Sequence, residues 1–355
     1  MATWEILSEN SGADAWDGEV LAYEDAHVYQ SHAWGESQRA FGWKPARYLC
    51  RRDDGSVAAL AQTLIKNYPG RIKIGWSPGG PLFHSYPGKS CDVEEILNGL
   101  GEKIAELGGK IFVRFDSYIP LRPGMEDAFS KAFSKPSFDL NSRLGLRFDL
   151  RESMRTLETK MSGDVRANLK KAARTDFQWK IGNEEALVQD LMRLYGEMLS
   201  IKRAGGFWVD HGKVPAVCQG LRNNALIVAG YLDGEPVSSS LILRFGDRAV
   251  FRERATGARG RRLGASHAVV YKALQYLKED RVRYLDWILS PGDPNVKGVD
   301  DFKKGFGGRP VEFLGEWDWS NSTVLRWAVN AAIGVMKYRH GKTAGRKARD
   351  RLSFF

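Results

Sequence analysis

The sequence predicts an α+β chain made of two units of similar architecture. Three observations carry this expectation. The length, 355 residues, is enough for two domains. The order antiparallel strands, helix, strand runs through the chain twice. The second run begins near Leu150 with no Pro/Ser linker before it, so the units are expected at 1–150 and 151–316.

In the first run, ARYLCRR (46–52) and SVAALAQTLIK (56–66) read as strands joined by the turn Asp53-Asp54-Gly55. IKIGWSP (72–78) is a strand ended by Gly79-Gly80-Pro81. DVEEILNGLGEKIAEL (92–107) is a helix, with Asp92 as N-cap and acids in its first turn. Gly108-Gly109 stops it, and KIFVRFD (110–116) and LGLRFDL (144–150) are further strands.

In the second run, 154–174 is helical, interrupted at Ser162-Gly163-Asp164, and 184–201 is an amphipathic helix. Residues 225–257 form three strands, turned by Asp233-Gly234 and Gly246-Asp247. A basic turn, ARGRRLGAS, opens a helix over 267–279, and VRYLDWI (282–288) is the following strand.

Charge and cysteine content narrow the class. Lys and Arg number 53 against 43 Asp and Glu, for a net charge of +10. An anionic partner is expected: nucleic acid, a phosphorylated substrate or a membrane surface. Residues 337–355 carry seven of the cations and one anion, so +6 of the +10 lies there. Cys50, Cys91 and Cys218 are odd in number and far apart, which argues against a disulfide scaffold or a clustered zinc site. The six histidines show no metal-ligand spacing, so no metal is expected. The first residues lack a basic n-region and an apolar h-region, and no run of ~20 apolar residues occurs. A cytoplasmic protein is expected.

The segment GVDDFKKGFGGRPVEFLGEWDW (298–319) places two lysines after an aromatic residue and before a Gly-rich turn. A lysine held there can stabilise an oxyanion or a phosphate. The same residues also suit a hairpin with solvated lysines.

Several segments, in order, resemble the FemABX family of nonribosomal peptidyltransferases. They are YQSHAWGESQRAFGWKP (29–45), SPGGPLF (77–83), FVRFD (112–116), SGDVRANLKKA (162–172), IKRAGGF (201–207) and FKKGFG (302–307). The resemblance implies two tandem acetyltransferase-like (GNAT) domains, with 317–355 returning to complete the first. It implies transfer of an amino acid from aminoacyl-tRNA to an amine of a peptidoglycan precursor. Lys303 takes the place of the family's oxyanion-stabilising lysine. Asp116 takes that of an aspartate in substrate positioning or proton transfer, and Arg203 that of a phosphate-binding arginine. Trp34, Arg114 and Phe302 fall in the matching motifs as substrate contacts; Asp286 and Trp287 are substrate contacts in LDWILSPGD (285–293), which stands at a family strand end but departs from its pattern, so substrate is expected to be read differently there. Where members acting on a nucleotide-linked precursor carry a lysine, this chain has Gln38, which favours a lipid-linked acceptor. No cofactor beyond the donor substrate is implied.

Two basic features remain. Arg261-Arg262-Leu263-Gly264-Ala265-Ser266 nearly matches the R/QxxGxG/A loop of acyl-CoA acetyltransferases, in the strand–turn–helix context that binds pyrophosphate. Acyl-CoA is therefore the alternative donor, with a polysaccharide or small amine as acceptor. Arg166, Lys170 and Arg174, with Lys171 beside them, share a helix face suited to tRNA phosphates or to solvent. Finally, 323–338 is apolar except for a stripe at Arg326, Asn330 and Lys337. This helix is expected either to dock on the first domain or to lie in the plane of the cytoplasmic membrane, with the basic tail behind it.

Overall fold

The computed structural model describes residues 2–8, 12–83, 90–202, 213–290 and 297–343. Arg203 with the rest of its turn, residues 291–293 of the LDWILSPGD segment, and the tail from 344 lie outside the described residues. The chain forms two compact units, Met1–Leu144 with Val311–Lys337, and Gly145–Pro310 with Tyr338–Phe355.

The first unit is a six-stranded sheet in the order β1 (Ala2–Ile6), β2 (Lys44–Arg52), β3 (Val57–Tyr68), β4 (Ile72–Pro78), β6 (Lys110–Pro120), β13 (Arg309–Ser320), with the short β5 (Leu82–Phe83) beside β3. All neighbours are antiparallel except β4 and β6. That parallel pair needs a crossover. Helix α3 (Ser90–Ala105) supplies it, burying Val93, Leu97, Leu100 and Ile104 at helical spacing against the sheet. Helix α4 (Met125–Ala132) adds Phe129 to the same core. Two further helices, α1 (Ala13–Leu21) and α2 (His32–Ser37), lead into β2.

The second unit repeats this plan. Its sheet runs β8 (Gln178–Gly182), β9 (Ala225–Leu232), β10 (Glu235–Phe245), β11 (Arg248–Thr256), β12 (Tyr284–Ile288), β7 (Leu144–Asp149). Again one pair, β11 and β12, is parallel. Helix α10 (Ala265–Glu279) makes the crossover and buries Val269, Val270, Ala273, Leu274 and Leu277. The predicted break in the basic helix is present: α5 (Met154–Lys160) and α6 (Gly163–Ala172) are separate, and the Ser162 hydroxyl caps α6 by accepting from Val165 N. Helices α7 (Glu185–Lys202) and α8 (Lys213–Leu221) complete the unit before β9.

Each sheet is closed by a strand from elsewhere in the chain. β13 returns to pair with β6, and β7 pairs with β12 before the rest of its unit has been made. The division therefore falls at 144/145 rather than at 150. LGLRFDL ends the first run in sequence but is a strand of the second sheet.

Three elements differ from expectation. The basic turn before α10 contains a five-residue helix, α9 (Ala258–Arg262). The strand expected from 282 begins at Tyr284, because Arg281 has a positive φ and Val282 N still bonds to Leu277 O at the end of α10. The FKK segment is a helix, α11 (Lys297–Lys304), so a hairpin with solvated lysines is ruled out. Gly305 and Gly307 end this helix rather than turn two strands.

Glycine placement gives a test of the packing. Gly264 has φ +77°, and a Cβ there would lie 2.6 Å from Asn168 O on α6. Gly264→Ala is expected to cost roughly 1–3 kcal/mol and lower Tm. Gly196, inside α7, has nothing within 4 Å of a Cβ. Gly196→Ala should stabilise by about 0.5–1 kcal/mol. Thermal denaturation of the two variants checks both signs.

Candidate active site

In the first unit, β6 and β13 bring four ionisable side chains into one buried set. Glu316 lies opposite Asp116, and Asp318 opposite Arg114, so alternate residues of two paired strands share a face. All four are nearly or fully buried. Arg114 donates to both oxygens of Asp318, at 2.7 and 3.0 Å, and lies 3.1 Å from Glu316. Asp116 accepts from the Tyr118 hydroxyl at 3.1 Å and from Asn141 Nδ2 at 2.8 Å. Glu316 accepts from the backbone N–H groups of Leu140 and Asn141.

One cation cannot balance three carboxylates in a dry site. Asp318 holds the guanidinium in two bonds. Burial pushes Asp116 up to about 6, against the hydrogen bonds from Tyr118 and Asn141. Burial, and then the charge of Asp116, push Glu316 up to about 7. The two carboxyls therefore share protons near neutral pH, as a general acid–base group requires.

An aromatic path links this set to the entry motif. Tyr118 stacks on His27 at 4.6 Å and meets Tyr29 at 5.9 Å, and Tyr29 packs on Trp34 at 4.5 Å. Trp34 is buried, and among the described residues its indole N–H has no partner. Gln38 is 5% exposed and donates to the Ser37 hydroxyl. The motif's other residues build the scaffold. Gln30 donates to the carbonyls of Gln62 and Pro78 and accepts from Gln62 N, and Ser31 caps α2.

In the second unit, β11 and β12 pair over only three residues, Arg248–Val250 against Tyr284–Asp286. Beyond them β12 stays with β7 while β11 stays with β10, so the sheet splits. Lys303 lies at this split. Its ammonium donates to Ile288 O at 2.6 Å and sits 3.5 Å from Asp300 Oδ1, which leaves donor capacity unused. Asp300 is held by Ser290 N. Burial lowers the pKa of Lys303, with Asp300 opposing.

Trp287 lies 6.0 Å from the Lys303 ammonium and stacks on Phe251. Phe302 packs against Trp287 and Phe306. Asp286 is held by Arg147 in two 2.7 Å bonds. Arg254, on β11, lays its guanidinium 3.9 Å from the centre of the Phe302 ring. Among the described residues no hydrogen bond or ion pair engages it, and burial lowers its pKa to about 10. His267, from the first turn of α10, packs on Phe302 at 4.8 Å, and among the described residues its buried Nδ1 has no partner.

The remaining predicted residues sit on the surface of the same unit. Arg166, Lys170 and Lys171 are exposed on α6, whereas Arg174 is exposed beyond the helix end at Ala172 and so leaves the predicted face; among the described residues none of the four has a carboxylate partner. Arg166 bonds to Met161 O. Arg261 donates to Thr256 O, and Arg262 is exposed. Helix α9 already uses the N–H groups of Arg261, Leu263 and Gly264 internally.

Glu316, Asp318 and Arg254 escaped the sequence reading. The signal for the first two was E-x-D in GEWDW, which puts both carboxylates on one strand face. A cavity of about 570 Å³ also went unforeseen; Arg147, Arg151, Lys160 and Arg309 line it against Asp149 and Glu152. Among the described residues, no three His, Cys, Asp or Glu side chains are placed to hold a metal ion.

Two measurements test this electrostatic picture. Asp116 and Glu316 have folded-state values above their ordinary ones, so the fold binds the extra proton. Stability should fall as pH rises from about 4 to about 7. Glu316→Gln, which fixes one site as neutral, should flatten that fall in thermal denaturation; parallel curves for wild type and variant would contradict it. Among the described residues Arg254 has no hydrogen-bond or ion-pair partner, and methionine can still pack on Phe302, so Arg254→Met should keep or raise Tm, whereas breaking a buried ion pair costs about 3–5 kcal/mol.

Comparison with known proteins agrees with this architecture. Residues 159–304 match the family described as Acetyltransferase (GNAT) domain. No curated protein matches the sequence. Among solved structures the chain is similar to FemX, at 15% identity over 92% of this chain and 100% of that one, with a TM-score of 0.76. It is also similar to a conserved protein of unknown function from Bacteroides thetaiotaomicron, at 11% identity over 90% and 99%, TM-score 0.57. A tandem GNAT protein from the clavulanic acid biosynthesis pathway is similar at 11% identity over 91% and 99%, TM-score 0.54. The chain therefore has the tandem GNAT fold of FemX.

Proposed function

We propose that the protein is an aminoacyltransferase that forms a peptide bond between an amino acid carried by tRNA and an amine of a lipid-linked peptidoglycan precursor. The match of the second unit to the acetyltransferase domain family supports acyl transfer in general. The observation that carries the finer reading is Lys303, half-buried at the split of the second sheet with a donor to spare.

The chemistry needs little more. The acceptor amine attacks the ester carbonyl, a C–N bond forms and the C–O bond to the ribose breaks. Lys303 would stabilise the oxyanion of the tetrahedral intermediate. The proton the amine loses passes to solvent, and the departing ribose oxygen takes one up. An ester is already activated toward an amine, so positioning and charge stabilisation account for most of the rate. The exposed cations of α6 would carry tRNA phosphates, and Arg203 would bind a substrate phosphate.

A second reading, an acyl-CoA-dependent N-acyltransferase, is favoured by the strand–turn–helix setting of residues 261–266. Against it, α9 occupies three of the amides that such a turn could offer a pyrophosphate.

Transfer assays read by mass spectrometry separate the two. Charged tRNAs are expected to support transfer that RNase abolishes. Transfer that survives RNase and requires acyl-CoA would select the second reading. Lys303→Ala should lose turnover by about 10²–10³-fold, as when one oxyanion donor is removed, with its Tm retained.

A further inference from the structure

The C-terminal helix α12 (Thr323–Thr343) presents its faces in an unusual sense. Its polar stripe turns inward, onto the first unit. Arg326 bonds to the Ser134 hydroxyl. Asn330, 5% exposed, accepts from Arg114 and from Ser137 N and donates to Asp318. Lys337 reaches Asp139 O, and Ile333 is buried among these contacts. At 3.6 residues per turn these positions lie on one side of the helix.

The opposite side is apolar and faces outward. Val324 is 75% exposed, Trp327 73% and Val335 51%, with Ala328 and Ala332 exposed between them. A docked helix ordinarily buries this face. Here the polar contacts fix the helix so that the apolar strip cannot turn in.

We propose that this strip is a docking surface for an anionic phospholipid membrane, on which α12 lies parallel to the bilayer plane. Charge argues for this occupant. Arg339, Lys342, Arg346, Lys347, Arg349 and Arg351 follow in sequence, against Asp350 alone. A basic segment beside an apolar strip is the combination that gives lasting attachment to anionic lipid. The tryptophan suits the interfacial region, where an apolar ring with one N–H is favoured. No helix among the described residues is long and apolar enough to cross a membrane, so the contact is peripheral.

The test uses the full chain and sucrose-loaded vesicles of phosphatidylcholine, with or without about one-third phosphatidylglycerol. Wild type is expected to sediment with the anionic vesicles and not with the neutral ones. The triple variant Val324→Ser, Trp327→Ser, Val335→Ser should bind at least about tenfold more weakly with unchanged Tm, because none of the three is buried. Wild type that fails to bind anionic vesicles overturns the proposal, as does a triple variant that binds equally well. A wild-type dimer in light scattering that the triple substitution dissolves also overturns it, in favour of a second copy. None of these readouts involves turnover, so they are independent of the transferase reading.

Discussion

Arg114 is the interaction on which the first unit depends. It is the one cation in a buried set with Asp116, Glu316 and Asp318. Through Asp318 and Glu316 it fastens the returning strand β13 to β6, and through Asn330 it fastens α12 to the same face. Burial raises Glu316 and Asp116 toward neutrality, and the charge of Asp116 adds to the rise at Glu316. The seam that closes the sheet is thus also the group that can exchange a proton. Removing the guanidinium would strand several buried carboxylates at once, which is why structure and chemistry cannot be varied separately here.

The second unit solves a different problem with the same sheet. Its parallel strands part after three residues, and the gap is filled by aromatic rings and cations rather than by aliphatic side chains. Lys303 and Arg254 approach this gap from α11 and β11 respectively. Both have pKa values lowered by burial, and neither meets a carboxylate within 3 Å. Such a site suits an anion or an oxygen that becomes one. The glycines after Lys303 then acquire a reason: at Gly307, φ is +78° and a Cβ would lie 2.4 Å from Lys160 O, so the chain turns back tightly against α5.

Much of this was legible in the sequence, and the misses have physical causes. The strands and helices with strong periodicity, such as α3, α7, α10 and β2 to β4, were found within a few residues. β1 was missed because only Trp4 of its five residues is buried, which leaves no alternation to read. The loop-like Gly content of FKKGFGG suggested a hairpin, yet Asp300 at the start of α11 and Lys303 and Lys304 at its end match the helix dipole. Arg114 and Asp116 were named from local motifs, but Glu316 and Asp318 joined the set only because a strand returns to pair with them from 200 or more residues along the chain. Pairing of that range leaves no local pattern. The stripe on α12 was legible as a pattern, and its inward direction was not, because Asn330 finds its partners on distant strands.

The most direct measurement concerns the buried proton. Site-specific ¹³C labelling of aspartate and glutamate side chains, followed through a pH titration by NMR, would report each carboxyl in turn. Two coupled transitions near neutral pH are expected, assigned to Glu316 and Asp116 by Glu316→Gln and Asp116→Asn. Glu316 and Asp116 both fully ionised by about pH 5, close to their ordinary values, would contradict this.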